Sequence, residues 1–326
     1  MFKKNLGWLL TTFVLTTVPL ADAQQPAKIP RLGYLMALSP DQSLDLKAFR
    51  QGLTALGYVE GKNIAIEYRY AEGKLDRLAG LAAELVALKV DIIVALNPPS
   101  AWAAKNATKT IPIVMRSTDD PVTTGLVESL ARPGGNVTGL TSMATDLIGK
   151  RLEILKEAIP RISRVAVLRN PTAADASIKW QEVKTAARAL KLQIHSVEVT
   201  GPSDFEGAFK AAIKNRAQAL IVLRNPLIVN NRAKIAELAI KNRLPAMYDD
   251  REFVDAGGLM SYGTDLADLH RRAATYVDKI LKGRTPADLP VERPMKFEFI
   301  VNLKAAKAIG VTIEPNVLVR ADRVIR

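Results

Sequence analysis

The chain of 326 residues contains no cysteine. This absence excludes disulfides, thiol catalysis, cysteine-ligated metals and a lipid attached at an N-terminal cysteine. Histidine is almost as scarce: only His195 and His270 occur, and we expect them in an outer strand and on a helix. A lone histidine in either place ordinarily packs or faces solvent, so acid–base catalysis by histidine is poorly supported.

Motifs for catalysis and cofactor binding are also missing. The sequence has no Gly-x-Ser-x-Gly elbow, no Walker-type phosphate loop and no His-Glu-x-x-His pair. The glycine-rich segment 134–139 lacks the dinucleotide-binding spacing and precedes a strand instead of opening a helix. Adjacent carboxylates at 119–120 and 249–250 would point to opposite faces of a strand, so each pair offers one inward ligand at most. We expect no metal and no cofactor.

Aromatic residues make up only 6% of the chain, and basic residues outnumber acidic ones, giving a net charge of +13. Such a charge is compatible with nucleic acid, an anionic membrane surface or an acidic ligand. The basic residues are scattered along the predicted helices, however, and no zinc-finger, helix-turn-helix or RNA-binding signature occurs. We therefore expect no nucleic-acid partner.

The N-terminal segment is typical of an export signal. Lys3 and Lys4 are followed by an apolar stretch over 6–20 and by Ala-Asp-Ala at 21–23, a small-x-small cleavage site. The apolar stretch is shorter than the roughly 20 residues that a membrane span needs. A buried N-terminal helix would not explain this order of charge, apolar run and small residues. We predict a signal peptide over 1–23 and a periplasmic mature chain.

Short runs rich in β-branched residues alternate with helical stretches from Arg31 onward. Strands are predicted at 31–36, 64–70, 90–96, 111–115, 137–141, 164–168, 192–199, 219–223 and 244–248. Helices are predicted at 44–56, 75–88, 99–108, 173–190, 203–215 and 227–242. This alternation is typical of parallel sheets with helices on both faces and right-handed crossovers. About 300 mature residues exceed one comfortable core, so we expect two domains.

The two halves of the chain resemble each other. DIIVALNP at 91–98 matches ALIVLRNP at 219–226, and each is followed by a helix and a proline-started strand. Duplication predicts an α/β fold of two Rossmann-like, doubly wound parallel-sheet lobes. Their strand C-termini would face a shared crevice, which is where open α/β sheets bind ligands.

The pattern changes after Gly263. One long amphipathic helix is predicted at 265–282, then a linker at 286–294, a strand at 295–301, a helix at 303–309 and a tail. These segments would pass back between the lobes and form a multi-strand hinge, which favours rigid-body opening and closing. We predict an N-terminal lobe of 30–141 plus 264–285 and a C-terminal lobe of 142–263 plus 290–326.

Polar residues follow the predicted strands at the crevice. Asn97 and Ser100 open a helix whose free N–H groups suit a carboxylate, and Arg116 to Asp120 follow the next strand. The second lobe offers polar residues at 169–170, 224–225 and 248–250. Such paired donors and acceptors, with a few rings, suit a small polar ligand. At each position, helix capping or a strand-end ion pair is the open alternative.

Four stretches carry a resemblance to a known family: AFRQGLTALGYVEGKNIAIEYRYAEG, DPVTTGLVESLARPGGNVTGLT, REFVDAGGLMSYG and RRAATYVDKILKG. From about Arg31 to its end, the chain resembles the ABC-transporter substrate-binding proteins of the tryptophan/tyrosine type. The resemblance implies a type I periplasmic-binding-protein fold with a three-strand hinge and a ligand enclosed by closure. It also implies delivery of the ligand to an ABC permease in the inner membrane. Aromatic amino acids are the ligands associated with some members.

The resemblance also implies site positions. Asp120 matches a family-typical Asp-Pro and would suit a ligand ammonium. Strand-end positions and resemblance together predict these ligand-binding residues: Tyr34, Ser39, Asn97, Ser100, Arg116, Thr118, Asp120, Thr141, Ser142, Asn170, Asn225, Tyr248 and Tyr262.

Arginines at strand ends depart from the family pattern. If Arg116, Arg169 and Arg224 converge on the crevice, they favour an anionic ligand over a zwitterionic aromatic amino acid. The alternative is that they pair with the carboxylates at 119, 249 or 250.

The sequence thus predicts the periplasmic solute-binding component of an ABC importer, which captures an amino acid or related carboxylate between closing lobes. We expect a monomer without enzymatic activity. Two alternatives stay open: a sensory protein that presents a solute to a membrane receptor, and an exported α/β enzyme.

Overall fold

Two sheets of mostly parallel strands organise the protein. The computed structural model describes residues 28–39, 44–118, 120–173 and 175–326, so the predicted signal peptide at 1–23 lies outside the described residues. Within these ranges no helix has the length and apolar character needed to cross a membrane. The expected α/β class is confirmed.

The first sheet has the strand order β2-β1-β3-β4-β5, and all neighbouring strands are parallel. Its strands are β1 Arg31–Met36, β2 Ala65–Tyr70, β3 Ile92–Ala95, β4 Ile113–Ser117 and β5 Val137–Thr141. The connecting helices are α1 Leu44–Ala55, α2 Leu78–Ala87, which follows a short 3-10 turn, and α3 Pro98–Ala107. Every residue of β3, β4 and β5 is buried, as expected for strands covered by helices on both faces.

The second sheet has the order β12-β11-β10-β9-β8-β6-β7, with β10 and β11 as its antiparallel pair. Its strands are β6 Arg164–Arg169, β7 Gln193–Glu198, β8 Ala219–Val222, β9 Ala246–Tyr248, β10 Met260–Thr264, β11 Phe297–Asn302 and β12 Arg323–Ile325. The helices are α4 Ile148–Ala158, α5 Ala176–Ala189, α6 Phe205–Lys214, α7 Pro226–Asn230, α8 Arg232–Lys241, α9 Arg251–Asp255, α10 Leu266–Leu281, α11 Leu303–Ile309 and α12 Pro315–Leu318.

The chain crosses between the sheets three times. The first crossing is 142–147, the second is Asp265, and the third is 289–296. After the second crossing, α10 packs on α1 of the first sheet, and after the third, β11 joins the second sheet. We therefore call the first sheet with α1, α2, α3 and α10 the first lobe, and the remaining elements the second lobe.

Several elements differ from the sequence-based expectation. The helix predicted at 227–242 is two helices, because Asn231 interrupts it and its side-chain amide donates to the carbonyl of Leu227 at 2.8 Å. α4, α9 and β10 were not predicted. α9 spans only five residues, and β10 (Met-Ser-Tyr-Gly-Thr) lacks a run of β-branched residues.

A close helix–helix approach fastens α10 to the first lobe. Gly52 of α1 faces α10, where a Cβ would clash with the carbonyl oxygen of Arg271 and lie 2.9 Å from the Cβ of Ala274. The missing side chain at Gly52 therefore sets the distance between the two helices.

Two helical glycines allow a matched test of this packing. Gly80 of α2 has no atom near its Cβ position, so Gly80→Ala should raise the free energy of unfolding by about 0.5–1 kcal/mol through helix propensity. Gly52→Ala gains the same helix propensity but overpacks the α1–α10 contact. It should therefore lower the free energy of unfolding by about 1 kcal/mol or more. Urea unfolding of both variants measures the difference. Equal stabilisation by both would show that the α1–α10 approach is not constrained.

Candidate functional site

The carboxyl ends of the strands of both sheets border one crevice, and the lobes touch across it. The amide nitrogen of Asn230, in the second lobe, lies 2.7 Å from the point where a Cβ on Gly73 would stand. One continuous apolar cluster contains Leu38 of the first lobe and Ile228 of the second. The crevice is therefore closed in this structure.

The repeated Asn-Pro is a duplicated helix cap. Asn97 caps α3, and its Oδ1 accepts the N–H of Ser100 at 3.0 Å. Asn225 caps α7 in the same way, with its Oδ1 accepting the N–H of Ile228 at 3.1 Å. Both asparagines have extended backbones and precede a proline at the first helical position, a favourable arrangement. Each Oδ1 thus caps a helix, and the Nδ2 group is the part of the Asn225 side chain that could donate to a ligand.

A small cavity lies between the lobes beside the crossings, with a volume of about 10 Å³, room for about one water molecule. We call it the hinge cavity. Both lobes, the first crossing and the residues on either side of the second crossing contribute to its walls. It is lined by Arg116, Thr118, Ser142, Ala144, Arg151, Arg224, Asp249, Thr264 and Leu266. Of the sequence-predicted site residues, Arg116, Thr118 and Ser142 meet here.

Several buried polar atoms in and near the crevice lack a hydrogen-bond partner among the described residues. The hydroxyl of Ser142 and Oδ1 of Asp249 are two such atoms on the cavity wall. The hydroxyls of Ser100 and Tyr248 are also unpartnered, on residues that are fully buried. An unsatisfied buried polar group costs about 1–3 kcal/mol. A polar ligand that bonded the Ser142 and Asp249 atoms would remove part of this cost.

The three predicted arginines have different surroundings. Arg116 is buried on the cavity wall, and its Nε donates to Nε2 of His270 at 3.1 Å. Arg224 forms an ion pair with Asp250, and its Nε lies 3.9 Å from Asp249. For Arg224 the structure therefore shows the ion-pair alternative.

Arg169, whose position the sequence left open, does not line the hinge cavity with the other two arginines. It is the last residue of β6, and in the parallel register it stands opposite Glu198, the last residue of the edge strand β7. Its guanidinium pairs with Glu198 at 2.7 Å and lies 4.9 Å from the ring centroid of Trp180. The edge strand and α5 therefore hold this arginine away from the hinge cavity.

Arg151 of α4 is a cavity residue that was not predicted. It is buried, its Nε donates to the carbonyl of Tyr262 at 2.7 Å, and one terminal nitrogen donates to the carbonyl of Ala144 at 3.0 Å. Burial lowers the pKa of Arg151, and the Asp249 carboxylate opposes that shift. The spacing of Arg151 from Ile148 and Leu155 on α4 places it on the buried helix face, a signal that a helix assignment at 148–158 would have supplied.

Two predicted polar residues are engaged in local turns. Oδ1 of Asp120 accepts the N–H of Val122 at 3.0 Å, and Oδ2 accepts the hydroxyl of Thr123 at 3.1 Å. Oδ1 of Asn170 accepts both the N–H and the hydroxyl of Thr172, at 2.9 and 2.8 Å. Their acceptor oxygens stabilise the turns in which they lie.

The predicted tyrosines pack against other rings. Tyr34 is fully buried, with its ring 5.8 Å from that of Phe49. Tyr248 stacks on Phe253 at 4.8 Å, and burial raises the pKa of its phenol. Tyr262 is half-buried, with its ring stacked 6.3 Å from Phe297.

The two remaining predicted residues lie at strand ends. Ser39 is half-buried after β1, beside residues outside the described ranges. Thr141 is buried at the end of β5, and its hydroxyl accepts the N–H of Met143 at 3.2 Å. Among the residues described, no group of three or more histidines, aspartates or glutamates is placed to hold a metal ion.

Comparison with known proteins gives a consistent picture. A family model described as ABC transporter substrate binding protein matches residues 38–325. The tyrosine-binding protein of Clostridioides difficile (strain R20291) is 30% identical over 263 residues, which cover 81% of this chain and 75% of that protein.

Two solved structures differ in their state. An ABC domain from Streptococcus pneumonia in complex with L-Trp has a TM-score of 0.82 and 27% identity, covering 91% of this chain and 99% of its own. A ligand-free, open substrate-binding protein with adhesive properties from Clostridium difficile has a TM-score of 0.68 and 25% identity, with the same coverage.

The cap of α7 can be tested through stability. Asn225→Ala removes the acceptor for the N–H of Ile228 and should lower the free energy of unfolding by about 1 kcal/mol. Asn225→Asp keeps an acceptor at the cap and should lower it by clearly less. Chemical denaturation compares the two. An equal loss in both variants would mean that the cap does not account for the asparagine.

Proposed function

Because the chain belongs to the ABC transporter substrate-binding protein family, we propose that it captures an α-amino acid between the lobes, at the polar residues that line the hinge cavity, with aromatic amino acids the first to test. The cavity must widen to admit such a ligand, which requires the lobes to move apart. It is a solute-binding component of an ABC importer, and its partner is the permease of that importer. Closure of the two lobes encloses the ligand, and a ligand favours closure only by binding the closed form more tightly.

The pair of unpartnered polar atoms on the cavity wall carries this proposal. Oδ1 of Asp249 and the hydroxyl of Ser142 face a space that Arg116 also lines. An α-amino acid presents an ammonium and a carboxylate, which complement Asp249 and Arg116 respectively. The Ser142 hydroxyl can donate to the same carboxylate.

The charges of the cavity favour a zwitterion over a dianion. Arg224 is already engaged by Asp249 and Asp250, and Arg151 donates to two backbone carbonyls. Arg116 lines the same cavity as Asp249, and we assign it to a ligand carboxylate. An anionic ligand was favoured if three arginines converged on the crevice, but Arg169 does not line the cavity. Asp249 would also repel a second negative charge on the ligand.

The relatives give the side chain to test first. One is called a tyrosine-binding protein, and another was solved with L-Trp. Both names support an aromatic amino acid as the ligand of this chain.

The finer features of the proposal follow from the sequence. The lobes act as domains of 30–141 plus 264–285 and 142–263 plus 290–326. Residues 1–23 direct export, and the mature protein works as a periplasmic monomer. Its role is binding, without catalysis.

A ligand screen with one charge variant tests the proposal. Refolded, ligand-free protein is titrated calorimetrically with L-Trp, L-Tyr, L-Phe, aliphatic amino acids, dicarboxylates and simple sugars. We expect an aromatic amino acid to bind, and Asp249→Asn to weaken it about 10- to 100-fold through loss of the ammonium contact. Glu237→Gln removes an exposed carboxylate of α8 and should leave the affinity unchanged. Preference for a dicarboxylate or a sugar would contradict the amino-acid assignment.

The arginines provide a second, independent comparison. Arg116→Gln should weaken binding of the same amino acid by about tenfold or more, because the ligand carboxylate loses its cation. Arg169→Gln alters a residue held at the edge strand and should leave the dissociation constant within about twofold. Circular dichroism confirms that both variants are folded. The reverse ranking would place the carboxylate elsewhere.

A further inference from the structure

A tight turn of the first lobe points at the second lobe across the crevice. It contains two consecutive residues with positive φ, Glu72 at +55° and Gly73 at +82°. The turn is fastened to the end of β1, because Ala71 N–H donates to Met36 O at 2.9 Å and Gly73 N–H donates to Ala37 O at 2.8 Å. It therefore moves with the first lobe as part of a rigid body.

The opposing surface of the second lobe is also fixed. Asn230 is the last residue of α7, whose start is capped by Asn225 and whose end is followed by the Asn231 amide bond to Leu227. Its Nδ2 lies 2.7 Å and its Cγ 4.0 Å from the Cβ position of Gly73. Neither Gly73 nor Asn230 lines the hinge cavity.

We propose that Gly73 and Asn230 are the positioning pair for closure: they meet only when the crevice closes, and glycine at 73 is what lets them meet. A side chain at 73 must turn the Asn230 amide aside. The cost arises because this amide turns within a buried space, where its Oδ1 already lacks a partner. The closed form would be destabilised relative to the open form, while the ligand contacts stay intact. Apparent affinity then falls in proportion to the closed population.

The affinity test uses two glycines with nearly the same positive φ angle. Gly61 has φ +81° and no atom near its Cβ position, whereas Gly73 has φ +82° and faces Asn230. Asparagine is one of the residues that best tolerate this region, so it limits the backbone strain at both sites. We expect Gly73→Asn to weaken binding of the amino acid identified by the calorimetric screen by about tenfold. Gly61→Asn should weaken it by less than about twofold. Adding Asn230→Ala to Gly73→Asn should restore most of the loss.

A cross-link tests the contact without any ligand. The chain has no cysteine, so Gly73→Cys with Asn230→Cys introduces its only thiols. The Cβ of Asn230 lies more than 4 Å from the Cβ position of Gly73 in the closed crevice. Disulfide Cβ atoms stand about 3.5–4.5 Å apart, so a small further approach from the closed form brings the two thiols into range. We expect a cross-linked band on non-reducing electrophoresis after mild oxidation, formed faster when the amino acid is present. Gly61→Cys with Asn230→Cys is the control and should stay reduced within the chain.

The affinity part of this inference rests on the proposed function, and the two can fail separately. If the unaltered protein binds an amino acid and Gly73→Asn binds it as tightly as Gly61→Asn, the closing role of Gly73 is wrong. If Gly73→Cys and Asn230→Cys fail to cross-link in folded protein, the contact itself is wrong. If the unaltered protein binds no amino acid, the proposed function fails, and the cross-link still decides the contact.

Discussion

A buried arginine holds the hinge together, and the arrangement of the crevice depends on it. Arg151 donates to the carbonyl of Ala144 in the first crossing and to that of Tyr262 in β10, just before the second. The hydroxyl of Thr264 adds a bond to the carbonyl of Ser142 at 2.8 Å, which joins the same two segments. Because these bonds are shielded from water, the two segments behave as one unit. The lobes can then rotate about the hinge while these two segments keep their relative positions.

The hinge cavity beside these two segments combines buried charge with incomplete hydrogen bonding. Asp249 is shared between Arg224 and the space facing Ser142, so its Oδ1 has no partner among the residues described. Burying such a group without a partner disfavours the closed form of the empty protein. A ligand that supplies the missing donor stabilises the closed form selectively, which is the condition for ligand-driven closure.

Much of the fold could be predicted from the sequence, because buried parallel strands are β-branched runs and the helices between them are strongly periodic. The candidate site was harder to predict from the sequence. A polar residue that follows a strand gives the same sequence pattern whether it caps a helix or binds a ligand. Asn97 and Asn225 were correctly recognised as a repeat, yet their Oδ1 atoms cap helices. The surroundings of Arg169 stayed open because its partner on β7 depends on strand register, and Arg151 was missed because α4 was not assigned.

On these proposals, binding strength and ligand choice are controlled by different residues of the crevice. Asp249 and Arg116 at the hinge cavity distinguish ligands by charge, so a change there alters which molecule is bound. Gly73 and Asn230 touch no cavity atom and act only on the balance between open and closed forms, so a change there alters the affinity for every ligand by the same factor. A chain built this way can tune how tightly it holds its ligand without altering the groups that recognise it. The bare glycine at 73 is then as much a part of the binding reaction as the charged residues, although no ligand touches it.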